Sequence, residues 1–170
     1  MLTLGGIYRK KEAGMTLVEL ITVMVIIGIL SGLTFSIVNS YRYDARNTER
    51  TSDAESIARS FEISYIRDAT ANGPSYPTTQ VATTTSGYAT LFKGQSLDAT
   101  KAPDTTTATS IVAATSTTQP QAPTKDQYIY LPITSTGSLC NSTELCVRFY
   151  LYYLTEGDNV VKTLESIHQQ

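Results

Sequence analysis

The stretch that decides the fold is Met15–Val38, which reads MTLVELITVMVIIGILSGLTFSIV. It runs for 24 residues and contains a single ionisable side chain, Glu19. At 1.5 Å rise per residue, a helix of this length is roughly 36 Å long, which is enough to cross a bilayer core of about 30 Å. The sequence therefore predicts a transmembrane helix near the N-terminus.

Charges on the two sides of this stretch predict its orientation. The segment before it has a net charge of +2, from Arg9, Lys10, Lys11 and Glu12. Residues 41–55 have a net charge of −1. Because the more basic flank stays in the cytoplasm, we expect residues 1–14 to be cytoplasmic and the remainder of the chain to lie outside.

Glu19 separates the possible kinds of anchor. A carboxylate inside an apolar span costs about 2.5–3.5 kcal/mol for Asp at a helix centre, and less near the interface. A plain signal anchor has no need of it. The stretch is also too long for a cleaved secretory signal, no small-x-small cleavage site follows it, and no cysteine marks a lipoprotein boundary.

The sequence around Glu19 resembles the class III signal of type IV prepilins and pseudopilins. The resemblance rests on Lys11-Glu12-Ala13-Gly14 followed by Met15-Thr16-Leu17-Val18-Glu19-Leu20. In that family a prepilin peptidase cuts after the glycine on the cytoplasmic side and methylates the new N-terminus. The resemblance implies that Gly14 ends the leader, that Met15 is the N-methylated first mature residue, where Phe is commoner, and that Glu19 is the family's acidic residue.

The resemblance also implies a mode of assembly. Glu19 of one subunit would neutralise the Met15 amine of a neighbour as helices bundle in the filament core, since neither charge is tolerable alone in a dry site. Gly28 and Gly32 each weaken helix propensity by about 1 kcal/mol relative to Ala. Their G-x-x-x-G spacing allows close helix–helix approach, so local unwinding around them in the filament is a further hypothesis.

The helical pattern continues beyond the apolar stretch. An apolar stripe and an opposite solvated face recur at helical spacing, the stripe formed by Ala54, Ile57, Ala58, Phe61 and Tyr65 and the face by Arg50, Asp53, Glu55, Arg59 and Glu62. Asn72-Gly73-Pro74 predicts the helix end. Residues 52–65 and Ser75-Tyr76-Pro77 give a second, weaker resemblance to pilins. We interpret Arg42, Arg46 and Arg50 as partners of nearby acids and find no direct nucleic-acid site.

The remainder of the chain divides into two regions. Residues 74–126 are predicted to be a Thr-rich loop region on the outer face, with 15 Thr between positions 78 and 124 and only 88–92 offering a short strand or helical turn. Residues 127–170 alternate with period two. They predict three antiparallel strands, with one face formed by Ile129, Leu131 and Ile133 and another by Val147, Phe149, Leu151 and Tyr153. Pro132 indicates an edge strand or a bulge.

Cys140 and Cys146 lie between the first two of these strands. In an extracellular compartment a short closed loop favours a disulfide, which would stabilise the chain by roughly 2–3 kcal/mol. A metal site is the alternative, although no histidine lies nearby. Many pilins have a disulfide-bounded loop near the C-terminus.

No enzyme motif stands out in the sequence. The chain has one histidine, His168, which we interpret as a surface residue, and it has neither a phosphate-binding loop nor a nucleophile elbow. We therefore predict no catalytic residue, no cofactor and no metal site. The net charge of −2 argues against a general nucleic-acid binder.

These observations predict an α+β, pilin-like lollipop. Its long N-terminal helix comprises a transmembrane and filament-core part, residues 15–40, and an amphipathic part, residues 41–73, which packs on a small C-terminal antiparallel sheet. The expected function is a structural pilin of a type IV pilus, or fimbrium, that supports adhesion, twitching motility or DNA uptake. The alternatives are a pseudopilin of a type II secretion or competence system and a monomeric membrane-anchored receptor.

The expected partners follow from the resemblance. They are further copies of the chain, other pilins, the prepilin peptidase, the assembly platform and motor, and the membrane before assembly. The precursor is expected in the inner (cytoplasmic) membrane and the mature chain in an extracellular pilus.

Overall fold

The computed structural model describes residues 14–67, 73–93, 97–106, 110–141 and 143–168. The chain forms two compact units, Met1–Ser40 and Tyr41–Gln170. Helices α1, α2 and α3 span Leu17–Arg67, Thr79–Thr83 and Thr85–Leu91, and a 3-10 helix spans Leu97–Thr100. Strands β1 to β4 span Ile111–Ala113, Tyr128–Thr134, Cys146–Leu154 and Val161–Glu165. The predicted α+β class is confirmed, while the basic leader and the helix stop at Asn72 lie outside the described residues.

In the first unit, the described residues form no layer over α1. Its large apolar side chains between Leu17 and Val38 are 39% to 74% exposed. A helix that is apolar on every side is stable only inside a larger apolar environment. This part of α1 therefore needs lipid or other helices around it.

In the second unit, the apolar stripe of α1 lies in the core as the spacing predicts. Ala54, Ile57 and Phe61 are fully buried, and Tyr65 is 4% exposed. The Phe61 ring is the centre of an aromatic cluster, with centroid distances of 4.4 Å to Tyr130, 5.5 Å to Phe149 and 6.3 Å to Phe92. These rings join the helix, two strands and α3 into one core.

The sheet has four strands in the order β1-β2-β3-β4. The β2–β3 and β3–β4 pairs are antiparallel, as predicted, but β1 pairs with β2 in parallel, so the sheet is mixed. Strand β1 lies within residues 74–126, where a loop was expected. Its three residues are too few to show a period in sequence, and only the long-range pairing with Tyr128–Tyr130 makes them a strand.

The sheet face that covers α1 differs from the expected one. Tyr128 and Tyr130 of β2 share the core with Phe149, Leu151 and Tyr153 of β3. The aliphatic face of β2, formed by Ile129, Leu131 and Ile133, belongs to a second cluster that includes Ala114. Every residue of β2 is buried, so hydrophobicity alone could not tell which face lies against the helix.

Pro132 was predicted to indicate an edge strand or a bulge. Strand β2 is an inner strand, and the second possibility is confirmed, because the β2–β3 register shifts between Ile133 and Thr134. Strand β1 pairs only with Tyr128–Tyr130. No β1 residue is paired with Pro132, so the missing N–H group of proline breaks no hydrogen bond between β1 and β2.

Arg50 was wrongly predicted to lie on the solvated face of α1. Its side chain is fully buried, and Nη2 donates at 2.9 Å both to Glu156 Oε1 and to the Lys125 carbonyl. Arg46 donates to Glu156 Oε2 from Nε at 3.0 Å and from Nη2 at 2.6 Å. The side-chain oxygen of Asn47 accepts from the Glu156 N–H at 2.7 Å, and its amide nitrogen donates to the Glu156 carbonyl at 3.0 Å. These hydrogen bonds and ion pairs hold the turn after β3 against α1.

Replacing Glu156 by Ala tests this attachment. Breaking a buried ion pair by removing one partner costs about 3–5 kcal/mol, because Arg50 would keep its charge in a buried site. We expect the free energy of unfolding of Glu156→Ala to fall by about 3 kcal/mol in urea denaturation of the detergent-solubilised chain. Glu55→Ala, at an exposed position of the same helix, is the matched control. Equal values for both variants would contradict the role of Glu156.

Asp53 gives α1 a pH dependence of the opposite sign to a normal ion pair. Burial, and then the Glu49 carboxylate, raise the pKa of Asp53 from its ordinary value of 3.8 to about 6, although Tyr128 and Arg50 lower it. The folded chain therefore binds a proton that the unfolded chain releases between about pH 4 and pH 6. Stability contributed by the neutral acid is present below the unfolded pKa and is lost as the pH rises through the folded pKa.

The variant Asp53→Asn stays neutral at every pH. We expect its free energy of unfolding, minus that of the natural chain, to be larger at pH 7 than at pH 4. Chemical denaturation of both proteins at the two pH values measures this difference. Because Glu156 is present in both, its own titration cancels. A difference that does not change with pH would show that Asp53 has no such coupling.

Candidate assembly site at the start of the N-terminal helix

Helix α1 begins with a reciprocal pair of side-chain bonds. The Thr16 N–H donates to Glu19 Oε2 at 2.8 Å, and the Glu19 N–H donates to Thr16 Oγ1 at 3.3 Å. The Thr16 hydroxyl also donates to Glu19 Oε2 at 2.8 Å. This is a capping box, in which each side chain satisfies a backbone N–H that has no partner within the helix.

The capping role of Glu19 was missed in the sequence analysis, although its signal was present. Thr-x-x-Glu immediately before an apolar run is a known start of a helix. From the sequence, Glu19 was predicted only as a partner for another subunit. The structure adds a role within the same chain, because the carboxylate is held in place by the residue three positions before it.

The other predicted residues of the segment lie on the same short stretch. Gly14 and Met15 directly precede the capping box, and Met15 is 66% exposed. Gly28 and Gly32 lie within α1, which is α-helical through both. A Cβ atom added at either glycine would meet no atom within 4 Å. Both positions are therefore open to close approach by another helix.

Two threonines of the span bond to their own helix. Thr22 Oγ1 donates to the Val18 carbonyl at 2.7 Å, and Thr34 Oγ1 donates to the Leu30 carbonyl at 2.8 Å. Each of these hydroxyl groups therefore has a hydrogen-bond partner within the helix and needs none from lipid. Glu19 thus remains the one ionisable side chain of an otherwise apolar surface.

Cys140 and Cys146 form a disulfide. The loop that it closes is tied to the preceding segment, because Tyr76 N–H donates to the Cys146 carbonyl at 2.9 Å and Thr79 N–H donates to the Cys140 carbonyl at 3.1 Å. In the described part of the chain, no three His, Cys, Asp or Glu side chains are grouped so that they could hold a metal ion. The cysteines are structural here.

His168 is more than the surface residue that was predicted. Its ring stacks on Tyr65 with a centroid distance of 4.6 Å, and Nδ1 lies 3.1 Å from Glu62 Oε2. The hydroxyl of Tyr76 donates to the same Glu62 oxygen at 2.8 Å. Residues far apart in sequence make this cluster, so only the tertiary structure could reveal it.

Comparison with known protein families identifies a motif in the N-terminal part of the chain. The prokaryotic N-terminal methylation motif matches residues 9–35, a range that includes the basic leader, the capping box and both glycines. This motif is the type IV pilin class III signal. It indicates a type IV pilin-like or pseudopilin-like protein, a class that is structural rather than catalytic. No curated protein and no solved structure matched the chain significantly.

Helix α1, whose first part lies within the matched range, can span a membrane by its length and composition. Among the described residues, α1 is the one helix that meets this criterion. The exposure of its apolar residues is consistent with an anchored precursor that later enters a filament.

The capping box predicts a local effect of Thr16→Ala. Loss of an N-cap side chain costs about 1 kcal/mol, which corresponds to roughly a fivefold change in an opening equilibrium. Amide hydrogen exchange at Glu19, in the mature chain in micelles, should be faster by about that factor. Thr16→Ser retains the hydroxyl and should exchange at the natural rate. Equal exchange in all three proteins would show that the box does not hold the helix start.

Proposed function

We propose that this chain is a pilin, a structural subunit of a type IV pilus-like extracellular filament. It is made as a precursor in the cytoplasmic membrane, with the leader, residues 1–14, in the cytoplasm and the head outside. It polymerises with further copies and with other pilins through residues 15–40. The filament as a whole then supports adhesion, motility or DNA uptake.

The observation that carries the proposal is the apolar, exposed first part of α1 with a single carboxylate at the fifth position after Gly14. Apolar side chains without cover account for membrane insertion and equally for helix bundling. They do not account for Glu19, which is costly in either environment unless it is paired. A positive partner at a neighbouring subunit resolves that cost.

The positive partner is the amine that cleavage after Gly14 creates at Met15. A helix N-terminus already carries a partial positive charge, so a carboxylate from a neighbour is favourable there. Among the described bonds, both contacts from Thr16 end on Glu19 Oε2. The oxygen Oε1 of the same carboxylate is then the acceptor for the neighbour's ammonium group, and the capping box fixes its direction.

The proposal also assigns the partners of the precursor. A prepilin peptidase cleaves between Gly14 and Met15 and methylates the Met15 amine. An assembly platform with its motor then moves the span from lipid into the helix bundle. Gly28 and Gly32 permit close approach of neighbouring helices in that bundle, because no described atom fills the space beside them.

Mass spectrometry of material sheared from cells tests the processing. We expect a chain that begins at Met15 and carries one additional methyl group on its amine. A methylated chain that stays in the cell envelope would favour the pseudopilin instead. A chain that still begins at Met1 and occurs only in membranes would contradict the proposal and favour the anchored receptor.

Glu19→Gln tests the charge pair separately. Glutamine keeps the size of the side chain and can accept the bonds from Thr16, but it has no charge for the Met15 amine. We expect normal cleavage and methylation but at least about a tenfold loss of sheared filament, the factor that corresponds to about 1.4 kcal/mol. Thr22→Val, which removes a self-satisfied hydroxyl in the same span, is the control. Undiminished filament from Glu19→Gln would exclude the pairing.

A further inference from the structure

Ile167 protrudes from one flank of the second unit. Its side chain is 79% exposed, the highest value among the large apolar residues of the described chain. It lies at a groove of about 370 Å³ between α1 and β4, together with Ala58 and Leu164. An isolated exposed apolar residue needs no explanation, but this one adjoins an apolar groove at the free edge of a sheet.

The backbone around Ile167 is held firmly. The Ile167 N–H donates to Glu62 Oε1 at 2.7 Å, and the His168 N–H donates to the Tyr76 hydroxyl at 3.2 Å. The preceding Ser166 accepts from the Phe149 N–H at 3.2 Å and donates to the His168 carbonyl at 3.1 Å. A side chain presented on a fixed backbone loses little entropy when it is bound.

A cavity of the same unit borders the other side of α1. Its volume is about 210 Å³, and it is lined by Pro77, Val81 and Leu91, with Ser64 of α1 and Tyr76 also at its wall. An apolar cavity of about 150 Å³ is large enough to hold benzene. The four-carbon side chain of isoleucine therefore fits within this volume.

The cavity has a stiff wall. Val81 belongs to α2, which is capped by Thr78, and the next helix, α3, is capped by Thr84. Gly87 packs so closely on the Val81 carbonyl that no Cβ atom could be accommodated there. The α2–α3 corner is thus a preformed surface, and its Val81 side chain is 39% exposed.

The groove beside Ile167 and the cavity lie on opposite sides of α1, at nearly the same height along the helix. Glu62, which holds Ile167, and Ser64, which lines the cavity, are two positions apart on α1. Two helical positions correspond to about 200° of rotation and about 3 Å of rise. The sheet agrees with this arrangement, because β4 is one edge and β1, bonded by Tyr88 of α3, is the other.

Such an arrangement suits copies that stand side by side in the same orientation. Contacts between two different patches are heterologous, and they generate open helical assemblies when the rotation does not close a ring. The common height of the two patches means that parallel neighbours need little axial shift to meet.

The charges of the two flanks are complementary. The groove is lined by three acidic residues, Glu55, Glu62 and Glu165, and by one basic residue, Arg59, so its balance of charge is acidic. In contrast, residues 73–93, which form the cavity flank, contain no acidic residue and end with the exposed Lys93. Opposite potentials on the two patches favour their mutual contact over contact between like flanks.

We propose that Ile167 of one copy inserts into the Val81 cavity of the next copy, and that this contact joins neighbouring heads in the filament. This inference rests on the proposed function, since it takes a parallel second copy as the occupant. It assigns to the head a specific contact that adds to the packing of the N-terminal helices.

A cysteine pair tests the contact directly. The full-length chain carrying both Ile167→Cys and Val81→Cys is produced in cells, and the sheared filaments are analysed without reductant. We expect a ladder of covalent trimers and longer species, because each copy would bond two different neighbours. Either single variant can give at most a dimer. Filaments of the double variant that run as monomers or dimers would overturn the proposal.

A pair of opposite charges, introduced at the two apolar positions, provides the second test. Ile167→Glu should lower filament yield about tenfold, since burial of a whole isoleucine side chain is lost, while the thermal midpoint of the chain stays unchanged. Val81→Lys should also lower the yield, and the two changes together should restore it. Val160→Glu, at another exposed apolar position of the head, is the control. Failure of the double variant to recover would contradict the pairing.

The two proposals can fail separately. If the natural chain is not exported as a filament, the proposed function is wrong and the contact is wrong with it. If natural filaments form but the cysteine pair gives no ladder, only the Ile167 contact is wrong.

Discussion

One constraint shapes this chain: a single helix must suit two environments. Up to Ser40 it is apolar on nearly every side, which suits surroundings of lipid or of other helices. From Tyr41 onward it needs only one apolar stripe, which the sheet covers. The carboxylate of Glu19 is the exception in the first part, and the buried guanidinium of Arg50 is the exception in the second. Both side chains make specific hydrogen bonds within the chain.

These two charged residues have opposite consequences. The Arg50–Glu156 pair is completed within the chain, together with Arg46, and it fixes the turn between β3 and β4 on α1. The capping box of Glu19 fixes the position of the carboxylate but contributes no positive charge, since its other member is Thr16. The completed pair stabilises the head. Under the proposed function, the carboxylate of Glu19 would instead be paired by the amine of a neighbouring copy, so that the same electrostatic cost would act on assembly.

The two edges of the sheet in the head also differ from each other. A sheet with edges invites further contacts at those edges, and here one edge carries the protruding Ile167 while the other is covered by α2 and α3. Two different patches on one subunit specify a direction of growth, which a self-complementary patch does not. Under the proposed contact, the head would contribute to assembly together with the N-terminal helix.

Sequence alone determined the features that depend on local pattern: the apolar span, the signal around Gly14, the stripe from Ala54 to Tyr65, and the strands β2, β3 and β4, because periods and short motifs act within one segment. The tertiary structure decided what depends on distant partners. It buried Arg50 because Glu156 reaches it across the fold, turned the tyrosine face of β2 toward the helix, and made a strand of Ile111–Ala113. A strand buried on both faces has no period that tells its sides apart, and an ion pair between residues 106 positions apart leaves no local trace.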